Sequence, residues 1–236
     1  MKSVAIMQPY FFPYLGYFQL IHSVDLFVCF DDVNFIKKGW IHRNQIVVNG
    51  GSHLFTVPLT GASQNRKINQ IELDEFYKWR TVFLKMIRLN YSKCPQFDVV
   101  FNWLETCLNR DFDKISELNY LTILEVLKFL DIDSRKVVRS SSIYNNSDLV
   151  GQDRILDICL QEGASRYINA YGGRELYQNE FFQEQNIELR FLKTGKIIYP
   201  QKSDIFVPYM SILDLLFNVP KHDVNGMLNK YDLLTP

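Results

Sequence analysis

The chain has no excess of charge of either sign, since 26 of its 236 residues are Lys or Arg and 26 are Asp or Glu. Proteins that wrap nucleic acid usually carry a basic excess, so broad nucleic-acid binding is not expected. No run of about 18 apolar residues is present, the length that a membrane-spanning helix needs. The opening segment, MKSVAIMQPYFFPY, also lacks the apolar stretch of a signal peptide. Membrane insertion and export are therefore not expected.

Cysteine and histidine are both scarce, with four residues of each. The cysteines stand far apart, at Cys29, Cys94, Cys107 and Cys159. Most of them lie in apolar strand or helix patterns, which predicts buried free thiols and a cytoplasmic protein. The histidines have neither HxH nor HxxxH spacing, so no metal site is predicted.

Several motifs with a defined chemistry are also absent. The chain contains no GxGxxG, no P-loop and no GxSxG nucleophile elbow. YGGREL, at 171–176, places two glycines between a predicted strand and a short helix. This geometry suits a phosphate, but it falls short of both glycine motifs, and an ordinary turn is the favoured interpretation.

The hydrophobic pattern predicts an α/β fold with a mostly parallel, Rossmann-like sheet. Residues 3–8 and 25–30 are typical of buried strands, and residues 14–23 between them of a helix, which together make a βαβ unit. The alternation resumes in the second half, with strands at 135–142, 166–170 and 187–192 and helices at 151–163 and 211–219. The helix at 211–219 is predicted to be the final helix.

The middle of the chain departs from this alternation. Strands at 41–48 and 53–58 flank Asn49-Gly50-Gly51, which predicts a β-hairpin. Helical periodicity follows at 75–134. We therefore predict one domain over 1–236, with an α/β core at 1–74 and 135–236 and a helical insertion at about 75–134.

The turn after the first strand is the first candidate binding segment. In α/β sheets, ligands bind where a strand ends and the next helix begins, and Gln8, Tyr14, Gly16 and Tyr17 fall there. Gln8 is polar among apolar neighbours and needs a partner from protein or ligand; alternatively, the prolines and aromatics only shape a rigid turn. YLGY matches the spacing of the HxGH motif of nucleotidylyltransferase-like folds, but the two histidines that bind the triphosphate are absent.

The segment DDVNFIKKGWIHRN, residues 31–44, is the second candidate. Its carboxylates, cations and indole suit a ligand that carries a phosphate together with an amine or hydroxyls. The residues predicted to bind substrate are Asp31, Lys37, Lys38, Trp40, Arg43 and Asn44. His42 and Asp32 are the candidate general bases. The alternative is a solvated, charged loop before the hairpin.

The third candidate lies in residues 199–219, where Tyr199 and Gln201 are polar in an apolar tract. Ser211 is a predicted N-cap, and Asp214 three residues later suggests a capping box. A carboxylate on an otherwise apolar helix face needs a hydrogen-bond donor or a cation beside it. We predict that these four residues contact substrate; the alternative is a packed helix with an ordinary cap.

Four segments together resemble the WbqC-like family: AIMQPYFFPYLGYFQLI, FDDVNFIKKGWIHRN, GGREL and YPQ…F…PYMSILDLLFN. The resemblance runs from Ile6 to Asn218. It implies a role in bacterial surface-polysaccharide (O-antigen) biosynthesis and a cytoplasmic step on a nucleotide-linked sugar. Pro220 stands where the resemblance leads us to expect a glycine after the last helix, so the residue at which that helix ends is not predicted.

These observations together predict a transferase that adds an acyl or aminoacyl group to the amine of a nucleotide-linked amino sugar. His42 or Asp32 would take the ammonium proton, and backbone N–H groups near Gly16 would stabilise the oxyanion. The implied partners are a small nucleotide sugar and an acyl or aminoacyl donor. No metal is predicted, and an oligomer is possible. Two alternatives remain: a non-catalytic nucleotide-sugar or carbohydrate-binding partner of a biosynthetic complex, and a divergent nucleotidyltransferase.

Overall fold

The computed structural model describes all 236 residues, Met1–Pro236. The first half begins with β1 (Ser3–Met7), α1 (Leu15–His22) and β2 (Leu26–Cys29), the predicted βαβ unit. Two antiparallel pairs follow, the hairpin β3 (Arg43–Val48) and β4 (Gly51–Thr56) and the short ladder β5 (Leu59–Thr60) and β6 (Glu72–Leu73). Three helices then return the chain to the sheet, α2 (Phe76–Tyr91), α3 (Phe97–Leu108) and α4 (Ile115–Phe129).

The second half alternates strands and helices as predicted, with β7 (Val137–Val138), α5 (Gly151–Gln161), β8 (Arg166–Ala170) and β9 (Glu188–Thr194). A helix that was not predicted, α6 (Asn179–Glu184), lies between β8 and β9. The second half ends with α7 (Ile212–Asn218), α8 (Lys221–Met227) and β10 (Tyr231–Leu234). The prediction that α7 is the final helix was wrong, because α8 follows it. Pro220 is the N-cap of α8, where a missing N–H costs no helical hydrogen bond, so it begins a helix after α7 has ended at Asn218.

Six strands form one sheet in the order β10-β9-β8-β1-β2-β7. All neighbours pair in parallel except β10, which is antiparallel to β9. The predicted mostly parallel α/β fold is thus confirmed. From β1, the strands follow in chain order toward β7 on one side of the sheet, and from β8 to β10 on the other side. This is the strand order of doubly wound nucleotide-binding sheets, in which the direction of winding reverses beside the first strand. The loops after β1 and β8 therefore leave the sheet in opposite directions and open a crevice between them.

The sheet is buried on both faces, as its apolar strands predict. On one face, Ala5 and Phe27 join a cluster of 45 buried residues that also includes side chains from the hairpin, α1 to α4 and α7. On the other face, Val4 and Val28 join a cluster of 14 residues with α5 and α6. The helices of the middle segment thus share one hydrophobic core with the sheet, and the division at residues 75 and 134 stays a prediction.

Local sequence signals account for the hairpin turn and for the short β7. Asn49 and Gly50 have φ values of 50° and 78°, the left-handed pair that a tight hairpin turn needs. The strand predicted at 135–142 contains only Val137–Val138. It ends early because the Ser140 hydroxyl accepts a hydrogen bond from the Ser142 N–H and begins a 3₁₀ turn.

Two features expected from composition can be compared with the structure. All four cysteines are buried and free, as predicted, and burial raises the pKa of the Cys107 and Cys159 thiols to about 12. None of the helices combines the length and the apolar character that crossing a bilayer requires.

Candidate functional site

The turn after β1 is held in place by hydrogen bonds to its carbonyl oxygens. The buried Tyr17 hydroxyl donates to the Gln8 carbonyl at 2.9 Å. The Asn119 amide, from α4, donates to the Pro9 carbonyl at 2.8 Å and to the Ile41 carbonyl at 2.7 Å. Asn119 thereby joins the first turn to the loop before the hairpin, a role that nothing in the local sequence of α4 indicates.

The second half of this turn is held in the same way. The Asn44 amide donates to the carbonyls of Phe11 and Phe12 at 3.0 and 2.7 Å, and the Ser211 hydroxyl donates to Phe12 at 2.8 Å. Phe12 has φ 41°, an unfavourable conformation for an aromatic residue that these bonds enforce. The polar side-chain atoms of Tyr17, Asn44 and Ser211, predicted to contact substrate, are therefore used to build the turn.

The turn leaves Gln8 and Tyr14 available to a ligand. The Gln8 side chain is partly exposed, and its amide has no hydrogen-bond partner in the protein. Tyr14 is the N-cap of α1, and its ring packs edge-to-face on Tyr209 with 6.1 Å between centroids. A Cβ atom at Gly16 would collide with the Tyr14 ring and the Thr194 hydroxyl. The glycine is needed because these two groups lie directly over the helix backbone.

We predict that Gly16→Ala displaces the Tyr14 ring and lowers the free energy of unfolding by about 1–3 kcal/mol, the usual cost of overpacking. Urea denaturation measures this change. Gly226→Ala in α8 is the matched control, because a Cβ there meets no atom within 4 Å. Equal stability of the two variants would show that Tyr14 is not fixed against α1.

Two adjoining cavities open beside this turn and share a wall made by Tyr14, Pro208, Tyr209 and Met210. The first has a volume of about 400 Å³ and combines aromatic rings with amides and a hydroxyl. Its principal lining residues are Tyr10, Tyr14, Trp40, Tyr209, Asn44, Gln45 and Ser52. We call it the aromatic cleft. It brings together three sequence segments that were each predicted to bind substrate.

Tyr209 in this shared wall was not predicted as a site residue. Its φ is 59°, and 74% of its surface is exposed. A bulky residue held in the left-handed region without burial is the kind of backbone strain that occurs at ligand sites. The signal in the sequence was its position in the PYMS segment, beside the residues that were predicted.

Two cations that sequence patterns did not identify lie at the carboxyl ends of β8 and β9. The Arg174 guanidinium and the Lys193 ammonium lie 5.5 and 5.4 Å from the centre of the Tyr171 ring. Arg174 also lies 3.6 Å from the exposed carboxylate of Glu175. A Cβ at Gly172 would meet nothing within 4 Å, so the space beside this 3₁₀ segment is open. Positive charge and open backbone thus coincide at the carboxyl edge of the sheet, the edge at which doubly wound sheets bind ligands.

The two acids after β2 have different surroundings. Asp32 pairs with Arg154 at 2.5 Å with both side chains buried, and it also accepts a hydrogen bond from the Ser141 hydroxyl. Asp31 accepts from Ser140 at 2.5 Å, and burial, with a further contribution from Asp32, raises its pKa. Neither acid belongs to a cluster of three or more side chains that could hold a metal ion. Asp32 is committed to its ion pair, which disfavours it as a general base.

Comparison with known proteins agrees with the resemblance seen in the sequence. The model of the WbqC-like protein family matches residues 8–225, a range that includes both cavities and the switch point. The chain belongs to the WbqC-like family. It is similar to the protein named Uncharacterized protein Rv1507c of Mycobacterium tuberculosis, at 31% identity over 223 residues, 93% of this chain and 94% of the relative. No solved structure matches the chain.

His42 is the second candidate base of this WbqC-like chain. Its ring lies 5.2 Å from that of Phe35, and its Nδ1 atom is buried without a hydrogen-bond partner. Burial, and then the positive charge of Arg43, lower its pKa below the ordinary value of 6.5. The imidazole is therefore neutral at pH 7 and able to accept a proton.

The lowered pKa of His42 predicts a pH dependence of stability. Below about pH 6.5 the unfolded chain binds a proton that the folded protein resists, so stability falls as the pH decreases from about 7 to 5. His22, whose pKa is also lowered by burial, contributes in the same direction. We expect His42→Gln to lose less stability than the wild type over this range in thermal unfolding. His53→Gln, at an exposed position of β4, should follow the wild type.

The basic loop before the hairpin contains one structural cation and two free ones. Arg43 donates to the Gly39 carbonyl at 2.9 Å and to the Lys38 carbonyl, and its guanidinium lies 5.8 Å from the Trp40 ring centre. It therefore holds the turn that presents the indole to the aromatic cleft. Lys37 and Lys38 are exposed and form no ion pair.

Asp214 lies outside both cavities and has no exposed surface. Its carboxylate accepts hydrogen bonds from the hydroxyls of Tyr91 and Tyr199, at 2.5 and 2.7 Å, and from the Gln201 amide at 2.8 Å. The donors required by a buried carboxylate are thus present. The predicted capping box was wrong, because the Asp214 side chain bonds to these groups while the Ser211 N–H donates to a β3 carbonyl. Tyr199 lines the second cavity, but its hydroxyl is turned toward Asp214.

Proposed function

We propose that this WbqC-like protein is a transferase of surface-polysaccharide biosynthesis that adds an acyl or aminoacyl group to the amine of a nucleotide-linked amino sugar. The observation that carries the proposal is the convergence of Arg174 and Lys193 beside the open turn at Gly172. In doubly wound sheets, phosphates bind at this carboxyl edge of the strands. Two cations there suit the diphosphate of a nucleotide sugar.

The aromatic cleft supports a sugar as the second part of the ligand. Aromatic faces such as those of Tyr10 and Trp40 pack on the apolar face of a sugar ring, while the Gln45 amide and the Ser52 hydroxyl bind its polar edge. Gln8 begins the turn that connects the switch point to this cleft, and its unpaired amide is available to the same ligand.

The proposed reaction is amide formation with an activated donor such as a thioester. The sugar nitrogen attacks the acyl carbonyl, a carbon–nitrogen bond forms, and the carbon–sulfur bond breaks. The proton released by the nitrogen passes to neutral His42, and the thiolate leaves with the electron pair and is then protonated. First-turn N–H groups of α1, near Gly16, would supply donors for the oxyanion.

The experiment uses UDP-glucosamine and UDP-glucose, which differ in the amine that would be acylated, with acetyl-CoA as donor. We expect both nucleotide sugars to raise the melting temperature, and an acetylated product to appear in mass spectra only with UDP-glucosamine. Arg174→Ala with Lys193→Ala should abolish the thermal shift, whereas Lys85→Ala, in the distant groove between α2 and α3, should not. His42→Gln should keep the shift and lose about 10²-fold in rate. Absence of any shift would reject the proposal.

A non-catalytic nucleotide-sugar-binding partner is the second candidate. It is favoured by the fact that the buried carboxylates Asp32 and Asp214 are both saturated with donors. A thermal shift without product for any donor would support it. Nucleotidyl transfer is disfavoured because the Tyr17 hydroxyl is bonded to the Gln8 carbonyl and so is unavailable to a triphosphate.

A further inference from the structure

The second cavity lies at the end of β9, on the other side of the Tyr14 wall from the aromatic cleft. Its volume is about 290 Å³, and nine of its thirteen lining residues are hydrophobic. Met210 and Leu215 form a buried floor, while Ile197 and Phe206 are partly exposed. A mainly apolar pocket with a fixed floor binds hydrocarbon by removing it from water.

Its polar groups are few and unevenly available. Thr194 and Lys196 contribute a hydroxyl and an ammonium. Lys196 is exposed and forms neither an ion pair nor a hydrogen bond within the protein. The Tyr199 hydroxyl is directed to Asp214, and no carboxylate lines the cavity. The cavity therefore offers an apolar interior with a single free cation.

We propose that this cavity binds the hydrocarbon chain of the acyl donor, with an anionic part of the donor beside Lys196. The inference rests on the proposed function and narrows it, because it selects an unsubstituted acyl group over an aminoacyl group. An aminoacyl ammonium placed here would lose water without gaining a carboxylate partner, which is unfavourable. A hydrocarbon chain loses nothing by the same transfer.

The position of Tyr14 between the two cavities indicates how the acyl donor and the sugar would meet. Tyr14 lines both spaces, so the acyl chain and the sugar would lie on opposite sides of the wall that Tyr14 forms with Pro208, Tyr209 and Met210. The acyl carbonyl at this boundary would be within reach of a sugar amine from the cleft. Bond formation and cleavage are those of thioester aminolysis: the carbon–nitrogen bond forms, and the thiol leaves.

Isothermal titration without any nucleotide sugar tests the chain site directly. The probes are coenzyme A and its acetyl, butyryl and hexanoyl thioesters, and we expect affinity to rise about fourfold for each added methylene until the cavity is full. β-Alanyl-CoA, which carries an ammonium where butyryl-CoA has a methyl group, should bind at least about tenfold more weakly than butyryl-CoA. Equal affinities across the series, tighter binding of β-alanyl-CoA, or no binding of any thioester would overturn the inference.

Variants locate the binding. Ile197→Trp should remove the dependence of affinity on chain length. Ile198→Trp repeats the test at the exposed rim of the cavity, where the fold tolerates a large side chain. Lys196→Glu should weaken all the thioesters, and Lys85→Glu is its control. An unchanged chain-length series in both tryptophan variants would place the acyl chain elsewhere. If free hexanoate bound as tightly as hexanoyl-CoA, the thioester donor would be rejected.

These results are separable from the test of the proposed function. If affinity rises with chain length but nucleotide sugars give no thermal shift, the acyl site is supported and the sugar substrate is rejected. If the protein acetylates UDP-glucosamine but its affinity for thioesters does not depend on chain length, the transferase activity is supported and this cavity is rejected as the donor site.

Discussion

Replacing Arg154 with methionine is expected to lower the free energy of unfolding by about 3–5 kcal/mol, because it leaves the Asp32 carboxylate buried without its cation. The two groups lie 2.5 Å apart, with side-chain exposures of 5% and 6%. Arg154 also donates to the Asn146 amide oxygen at 2.9 Å and lies over the Phe30 ring. Urea denaturation followed by circular dichroism measures the loss.

A matched control separates burial from charge. Arg135→Met removes a cation from an ion pair whose arginine side chain is 90% exposed, and no measurable change is expected. The double variant Arg154→Met with Asp32→Leu should recover much of the stability, since no unpaired charge remains inside. If Arg154→Met and Arg135→Met were equally stable, the Asp32 carboxylate would not be buried in solution, and its exclusion as a base would no longer hold.

Asp214→Ala is expected to destabilise the protein by about 3 kcal/mol, because the buried Tyr91 hydroxyl and the partly buried donors of Tyr199 and Gln201 lose their common acceptor. The donors come from α2 and from the segment before α7, so the carboxylate fastens two parts of the chain to the start of α7. The Tyr91 hydroxyl also accepts the Val47 N–H at 3.0 Å, which extends the network to β3. The loss is measured as a shift of the urea midpoint.

The control for Asp214 is an aspartate at the same kind of helix position but in solvent. Asp223 lies in the first turn of α8 with its side chain 53% exposed, near His222. Asp223→Ala should change the free energy of unfolding by no more than about 0.5 kcal/mol. A similarly small effect of Asp214→Ala would mean that the tyrosine hydroxyls find water instead of the carboxylate.

Local patterns were sufficient for most elements of the fold. The βαβ start, the hairpin at Asn49-Gly50 and the helix that ends before Gly163 each depend on neighbours in sequence, and each is present. The strand order is different, because β1 pairs with both β2 and β8, and these partners are chosen by tertiary packing. The switch point, and the position of Arg174 and Lys193 at the ends of the neighbouring strands β8 and β9, could not be derived from local periodicity.

The site residues show the same difference between what local sequence predicts and what tertiary packing decides. The sequence identified three segments that line one cleft, with Tyr14 and Trp40 among their members. It did not distinguish side chains that face the cleft from those that build it, because that depends on partners far away in the chain. Tyr17 and Ser211 bond to carbonyls of the first turn, and Asp32 pairs with α5. Local capping rules failed at Asp214 for the same reason.

The central claim is that a nucleotide sugar binds between the ends of β1 and β8 and extends into the aromatic cleft. A crystal structure with UDP-glucosamine tests it most directly. We expect the diphosphate within hydrogen-bond distance of Arg174 and Lys193, and the sugar against Trp40. Diphosphate bound elsewhere, such as in the groove between α2 and α3 beside Arg80 and Arg88, with the switch point empty, would contradict it.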